Sequence, residues 1–141
     1  MAAFLDTNIL VYAFAESSTA EVDKVRIARA LVENLSRTRE LILSAQVLSE
    51  FISAALRKGQ PGLGLAQISE RVLQLSTENV LPIDSSLVQR ALQRVEQSRI
   101  SYWDALIVEA AIRSGAGVLY TEDMQHGAQY GGVELRNPFL R

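Results

Sequence analysis

The chain has 141 residues, with 14 Lys and Arg against 16 Asp and Glu, one His and no Cys. That length suits one domain, residues 1–141, and the lack of Cys excludes disulfides, thiolate metal sites and thiol nucleophiles together. A single His excludes paired-imidazole chemistry and any site needing two or three His ligands, so chemistry here must rest on carboxylates, hydroxyls or amides.

The first apolar run, Ala2 to Leu5, ends at Asp6 and suits a buried strand. Ser18 and Glu21 match a capping box that opens a helix with Val25, Ala28, Leu31, Val32 and Leu35 on one face. Leu41 to Leu43 is a second strand, closed by Ser44. From Ala45 a helical stripe follows in Val47, Leu48, Phe51, Ile52, Ala55 and Leu56, with Gly59 and Pro61 as its stop. Leu65, Ile68, Val72 and Leu75 mark another helix, and Val80 to Ile83 a third strand. Asp84 can cap a helix carrying Leu87, Val88, Ala91, Leu92 and Val95. Ser101 and Asp104 form a second capping box before Leu106, Ile107, Ala110 and Ala111, and Gly115 and Gly117 end that helix. Val118 to Tyr120 is a fourth strand, and Val133 to Leu135 is read as a fifth. Short continuous strands alternating with amphipathic helices predict an α/β fold with a parallel sheet covered on both faces.

The formal charge is −2, with 12 Arg against 2 Lys, a bias that suits bidentate contact with carboxylate or phosphate as well as ordinary helix surfaces. The longest uncharged stretch, Gly59 to Ser69, has 11 residues and contains Gly, Pro and Gln. A membrane span needs ~20. Asp6 interrupts the only early apolar run, so no signal peptide is expected and the reading is a cytoplasmic protein.

Ligands of open parallel α/β folds sit outside the carboxyl ends of the strands. Asp6 directly follows the first strand, Asp123 lies three residues after the fourth, and Glu50 and Asp104 lie near helix beginnings. Gathered at one rim, such acids repel: two carboxylates within ~4 Å cost about 4 kcal/mol at an effective dielectric of 20. Protons, cations or basic groups must offset that repulsion. Oxygen ligands without His or Cys select Mg²⁺ or Mn²⁺, which implies metal-dependent phosphoryl hydrolysis. Each acid also has a plainer reading. Asp104 can serve its capping box, Glu50 can lie on a solvated stripe with Gln46, Ser53 and Arg57, Asp6 can form a turn, and Asp123 can pair idly with Glu122 in a loop. His126 reads as an exposed loop residue, since no G-x-S-x-G elbow is present, and no G-x-G-x-x-G or P-loop pattern occurs. Tyr102 and Trp103 read as core and rim packing rather than a base-stacking platform, and Arg57-Lys58-Gly59 as a helix end.

The strings FLDTNILVY, SAQVLSEF, SYWDALIVEAA and LYTEDM, in this order, resemble the PIN-domain nucleases, and more narrowly the VapC-type toxins of bacterial and archaeal toxin–antitoxin pairs. The closing NPF is similar to the way many such chains end. The resemblance implies a three-layer α/β/α sandwich with a mostly parallel sheet and an acidic pocket for Mg²⁺ or Mn²⁺. By motif it assigns the metal-binding acids to Asp6, Glu50, Asp104 and Asp123. Asn8 and Thr121 match supporting positions, and Glu122 stands where Asn is common. Subtracting the four acids turns the charge from −2 to +2, so the remaining surface need not repel RNA.

The function expected from this likeness is a Mg/Mn-dependent endoribonuclease, the toxin of a pair, with RNA as substrate. A cognate antitoxin that inserts an Arg among the acids and a homodimer are the partners it implies, with Leu65, Ile68 and Val72 as one candidate surface. Two other classes stay open. A receiver-like Mg²⁺-binding signalling domain shares the acid after the first strand but needs a late Lys, and both Lys24 and Lys58 are early. A non-catalytic scaffold would use the acids to grip basic partner residues.

Overall fold

A computed structural model describes residues 1–15, 21–57 and 63–140. In chain order the elements are β1 (Ala3–Leu5), α1 (Thr7–Ala13), α2 (Val22–Arg37), β2 (Leu41–Ser44), α3 (Ala45–Leu56), α4 (Leu65–Leu75), β3 (Asn79–Leu81), α5 (Ser85–Ser98), α6 (Tyr102–Ser114), β4 (Val118–Tyr120), β5 (Gln129–Tyr130) and β6 (Val133–Arg136). The strands form one sheet in the order β3-β2-β1-β4-β6-β5, parallel throughout except for the antiparallel β5/β6 edge. The predicted α/β sandwich with a mostly parallel sheet is the fold observed.

Layering follows from handedness. The connections from β1 to β2 and from β2 to β3 step one way across the sheet and carry α1 to α4, whereas the return from β3 to β4 steps back and carries α5 and α6. Right-handed crossovers running in opposite directions place their helices on opposite faces. β1, buried over its whole length, is central and pairs with both β2 and β4. Phe4, Leu5, Leu43 and Leu119 of the sheet pack with Ile9 and Leu10 of α1, Val47 and Phe51 of α3, and Leu87 of α5. No described helix is long and apolar enough to cross a membrane.

The caps hold several predicted boundaries. The Asp84 side chain accepts from the Leu87 N–H and the Ser101 side chain from the Asp104 N–H, fixing the starts of α5 and α6. Gly115 closes α6 at φ +78°, a left-handed turn that glycine adopts without a Cβ penalty.

Other boundaries differ from the sequence reading. α1 was not anticipated, because Thr7 to Ala15 offers no polar stripe to mark a helix; Asp6 starts it as N-cap. α2 begins at Val22 with Glu21 at its N-cap, and the Ser18 of the expected capping box lies outside the described residues, as do Lys58 and the proposed stops Gly59 and Pro61. β3 is shifted to Asn79–Leu81, in register with β2 through Leu43↔Val80. β5 is two residues long and exists by pairing with β6. On α4, Ile68 is buried in the core while Leu65 and Leu73 are exposed, so the apolar surface there is not the Leu65, Ile68 and Val72 set.

Candidate active site

The rim between β1 and β4 is where the chain leaves the sheet in opposite directions, the switch point of an open α/β sheet. The Asp6 N–H donates to the Tyr120 carbonyl at 3.0 Å and the Thr121 N–H to the Arg136 carbonyl at 3.0 Å, carrying the ladder one residue past each strand. Asp6 and Thr121 are thereby held side by side. The Asp6 carboxylate accepts from the Thr7 N–H at 2.7 Å through Oδ1 and from the Thr121 hydroxyl at 2.7 Å through Oδ2. Thr121 is fully buried, and its Oγ1 in turn accepts from the Asp123 N–H at 3.2 Å. Asn8 ties α1 to the same loop: its Nδ2 donates to Asp123 Oδ2 at 2.9 Å and its Oδ1 accepts from the Glu122 N–H at 3.2 Å.

Glu50 and Asp104 enter from α3 and α6. The Thr7 hydroxyl donates to Glu50 Oε1 at 2.7 Å. Gln46, one turn before Glu50, donates from Nε2 to Glu50 Oε2 at 3.4 Å and to the Trp103 carbonyl at 3.1 Å, so α3 is stitched to the start of α6 beside Asp104. The stripe expected to be solvated is so only at its far end, where Ser53 and Arg57 are exposed; Gln46 is only 7% exposed and Glu50 is half-buried, because the start of α3 turns towards the rim. Asp104 serves its cap and also faces the rim.

Asp6, Glu50, Asp104 and Asp123 all line one cleft of about 640 Å³, with Thr7, Asn8, Arg57, Trp103 and Glu122 in its walls. Its electrostatics are those of uncompensated anions. Burial pushes the Asp6 carboxyl up from 3.8 to about 6; the Thr121 and Thr7 hydrogen bonds pull it back, while the charges of Asp123 and Glu50 raise it further. The Asp104 carboxyl is also raised, first by burial and then by Asp123 and Glu50, against a lowering hydrogen bond from Ser101. The donor chemistry, carboxylates flanked by hydroxyl and amide oxygens, suits a hard divalent cation, and Asp6 is an anion that a cation would relieve. The spacing is open. Among the described residues no three His, Cys, Asp or Glu side chains are set to grip one ion, so the acids share a cleft without converging on a point.

Glu122 reaches the cleft wall, but its carboxylate is engaged elsewhere. Lys24 of α2 bonds to Glu122 Oε2, and the Tyr12 hydroxyl donates to Oε1 at 2.9 Å. The Glu122 contact raises the Lys24 ammonium above its ordinary range, and burial followed by Glu122 raises the Tyr12 phenol. Sequence reasoning missed Tyr12, Lys24 and Gln46; their partners are 110, 98 and 57 residues away, so no local pattern marks them. The reading of Trp103 as packing needs correction: it is 60% exposed. His126 is exposed as expected, with Nδ1 accepting from the Asn137 N–H.

A family profile described as PIN domain matches residues 3–128. Among curated proteins no sequence matches the chain. Solved structures similar to it include a toxin-antitoxin complex from Klebsiella pneumoniae, with TM-score 0.71, 22% identity and coverage of 98% of each chain. Mycobacterium tuberculosis VapC20, a Sarcin-Ricin loop cleaving toxin, aligns at TM-score 0.64 and 21% identity over 86% of this chain and 90% of its own. VapBC2 from Rickettsia felis, bound to a DNA fragment from the promoter of the pair, aligns at 0.65 and 22% over 97% and 98%. At these identities the likeness to solved structures is one of fold.

Proposed function

The chain belongs to the PIN domain family, and from that premise we propose that it is a single PIN domain, residues 1–141, acting as a divalent-metal-dependent endoribonuclease of VapC type. One observation carries this reading: acids from the end of β1, from α3, from α6 and from the loop after β4 line the same cleft. Asp6, Glu50, Asp104 and Asp123 would hold Mg²⁺ or Mn²⁺. When bound, the ion supplies a water of lowered pKa and neutralises charge developing on a phosphodiester.

The chain's own residues set the geometry. Thr121 and the Thr7 N–H orient the Asp6 carboxylate, the Thr7 hydroxyl orients Glu50, and Asn8 bridges towards Asp123. Lys24 and Tyr12 engage the Glu122 carboxylate, so the other four carboxylates would form the ligand set, with Asn8, Thr121 and Glu122 supporting it. A cation shared by these acids would offset their mutual repulsion, so binding it should stabilise the fold.

The toxin-antitoxin and RNA-cleaving neighbours support RNA as substrate and a cognate antitoxin as partner; a homodimer and a cytoplasmic setting complete the proposal on the motif resemblance alone. The open spacing favours one other reading, a non-catalytic cleft that grips basic side chains of a partner. Incubation of the purified protein with RNA separates them. Cleavage should need Mg²⁺ or Mn²⁺, stop with EDTA and be lost in Asp6→Asn and Asp104→Asn; intact RNA with wild type in Mg²⁺ and in Mn²⁺ would support the scaffold.

A further inference from the structure

Trp103 is the chain's one Trp, and it stands 60% exposed on the residue before Asp104. An indole left in water at a cleft edge forgoes the burial that usually places Trp inside. This one is also held. Tyr102 braces its ring edge-to-face, with centroids 5.1 Å apart, and Gln46 fixes its carbonyl. Behind it lies a second hollow of about 550 Å³, mostly apolar, with Ala45, Gln46, Ile83 and Leu106 in its walls. Glu50, Ser53 and Trp103 line both this hollow and the acidic cleft, so the two are continuous. Gln46, in the wall shared with this hollow, is 7% exposed and its buried Oε1 has no hydrogen-bond partner.

We propose that Trp103 and the adjoining hollow form a base subsite, in which the indole stacks on a nucleobase of single-stranded RNA next to the phosphate that a cation at the acids would hold. The proposal rests on the nuclease reading above. A pre-positioned aromatic loses little freedom on binding, and stacking tolerates any base because every base has a π-face. The base must be unpaired, since a base inside a duplex cannot present its face to a side chain at the cleft wall. Continuity with the acidic cleft argues for a nucleotide, because a strand with its phosphate at Asp6 and Asp104 passes the indole on leaving.

The test uses the full chain, whose tryptophan emission reports this position alone. Titration with a short single-stranded RNA in Ca²⁺, a hard cation suited to these acids, should quench that emission, and the same strand made abasic should not. Trp103→Ala should bind a labelled RNA about 5- to 150-fold more weakly, the range for loss of one stacked base, while Trp103→Phe retains most of the affinity. Thermal melting of both variants confirms that they fold. RNA cleavage by wild type in Mg²⁺ is scored separately. Unquenched emission and unchanged affinity in Trp103→Ala, with cleavage intact, would overturn the base subsite and leave the nuclease reading standing. Quenching by RNA without cleavage by wild type would do the reverse. Emission that shifts with protein concentration in the absence of RNA, with a dimer that Trp103→Ala dissociates, would assign the face to a second copy and overturn the proposal.

Discussion

Substituting Asp6 by Asn should make the fold more stable at alkaline pH while abolishing function. The Asp6 carboxyl titrates at about 6 in the folded chain, against 3.8 ordinarily, chiefly because it is buried. Between those values the folded chain keeps a proton that the unfolded chain has lost. Stability therefore falls as pH rises through this window and stays lower above it by about 3 kcal/mol. Asn carries no charge and escapes that penalty. It also places an N–H₂ where Oδ2 accepts from Thr121, which costs about 1 to 2 kcal/mol at either pH. Urea unfolding in EDTA should find Asp6→Asn about 1 to 2 kcal/mol more stable than wild type at pH 8 and no more stable at pH 4. The change between the two pH values, about 2 to 3 kcal/mol, is the firmer quantity because the hydrogen-bond loss cancels from it. An equal difference at pH 4 and pH 8 would refute the electrostatic reasoning.

Thr121→Val removes the buried hydroxyl that lowers the Asp6 pKa, so the acidic limb of the RNA-cleavage profile should move to higher pH and activity at pH 7 fall about 2-fold, with a larger fall at pH 6; an unmoved limb would exclude this role. Glu109, almost fully buried on α6, accepts from Arg94 Nε of α5 at 2.8 Å, and Glu109→Gln leaves that guanidinium without its counter-charge. The loss should be about 2 to 4 kcal/mol, read from urea midpoints, with RNA cleavage at low temperature preserved. Ser101→Ala removes the α6 cap and the hydrogen bond that lowers the Asp104 pKa; the fold should lose about 1 kcal/mol in thermal melts, and cleavage should fall most at acidic pH.

What could be read ahead of the structure was whatever is local in the chain. Leu41 and Leu43 announce β2, Asp84 and Ser101 announce their caps, and the spacing of Leu87, Ala91 and Val95 announces α5. Elements that depend on distant partners were silent. α1 is seven residues without a polar stripe, held by Asp6 at its start and by the core contacts of Ile9 and Leu10. β5 exists only as the partner of β6. The four acids could be named from the chain, but their sharing of one cleft depends on the parallel register that puts Leu5 opposite Tyr120. Glu50 illustrates the difference. Its helix spacing suits a solvated face, and the Thr7 hydroxyl from the neighbouring helix, 43 residues away in sequence, helps turn it into a wall of the site. The engagement of Glu122 by Lys24 and Tyr12, and the pinning of Trp103 by Gln46, arise in the same way.

Whether these carboxylates jointly capture a divalent cation can be decided by calorimetric titration of the metal-free protein with Mn²⁺ at pH 7.5, beside Asp6→Asn and Asp104→Asn. Saturable binding by wild type, weakened at least about 10-fold in each variant and accompanied by a rise in melting temperature, is the predicted result. Absence of heat with wild type, or equal binding by all three proteins, would contradict it.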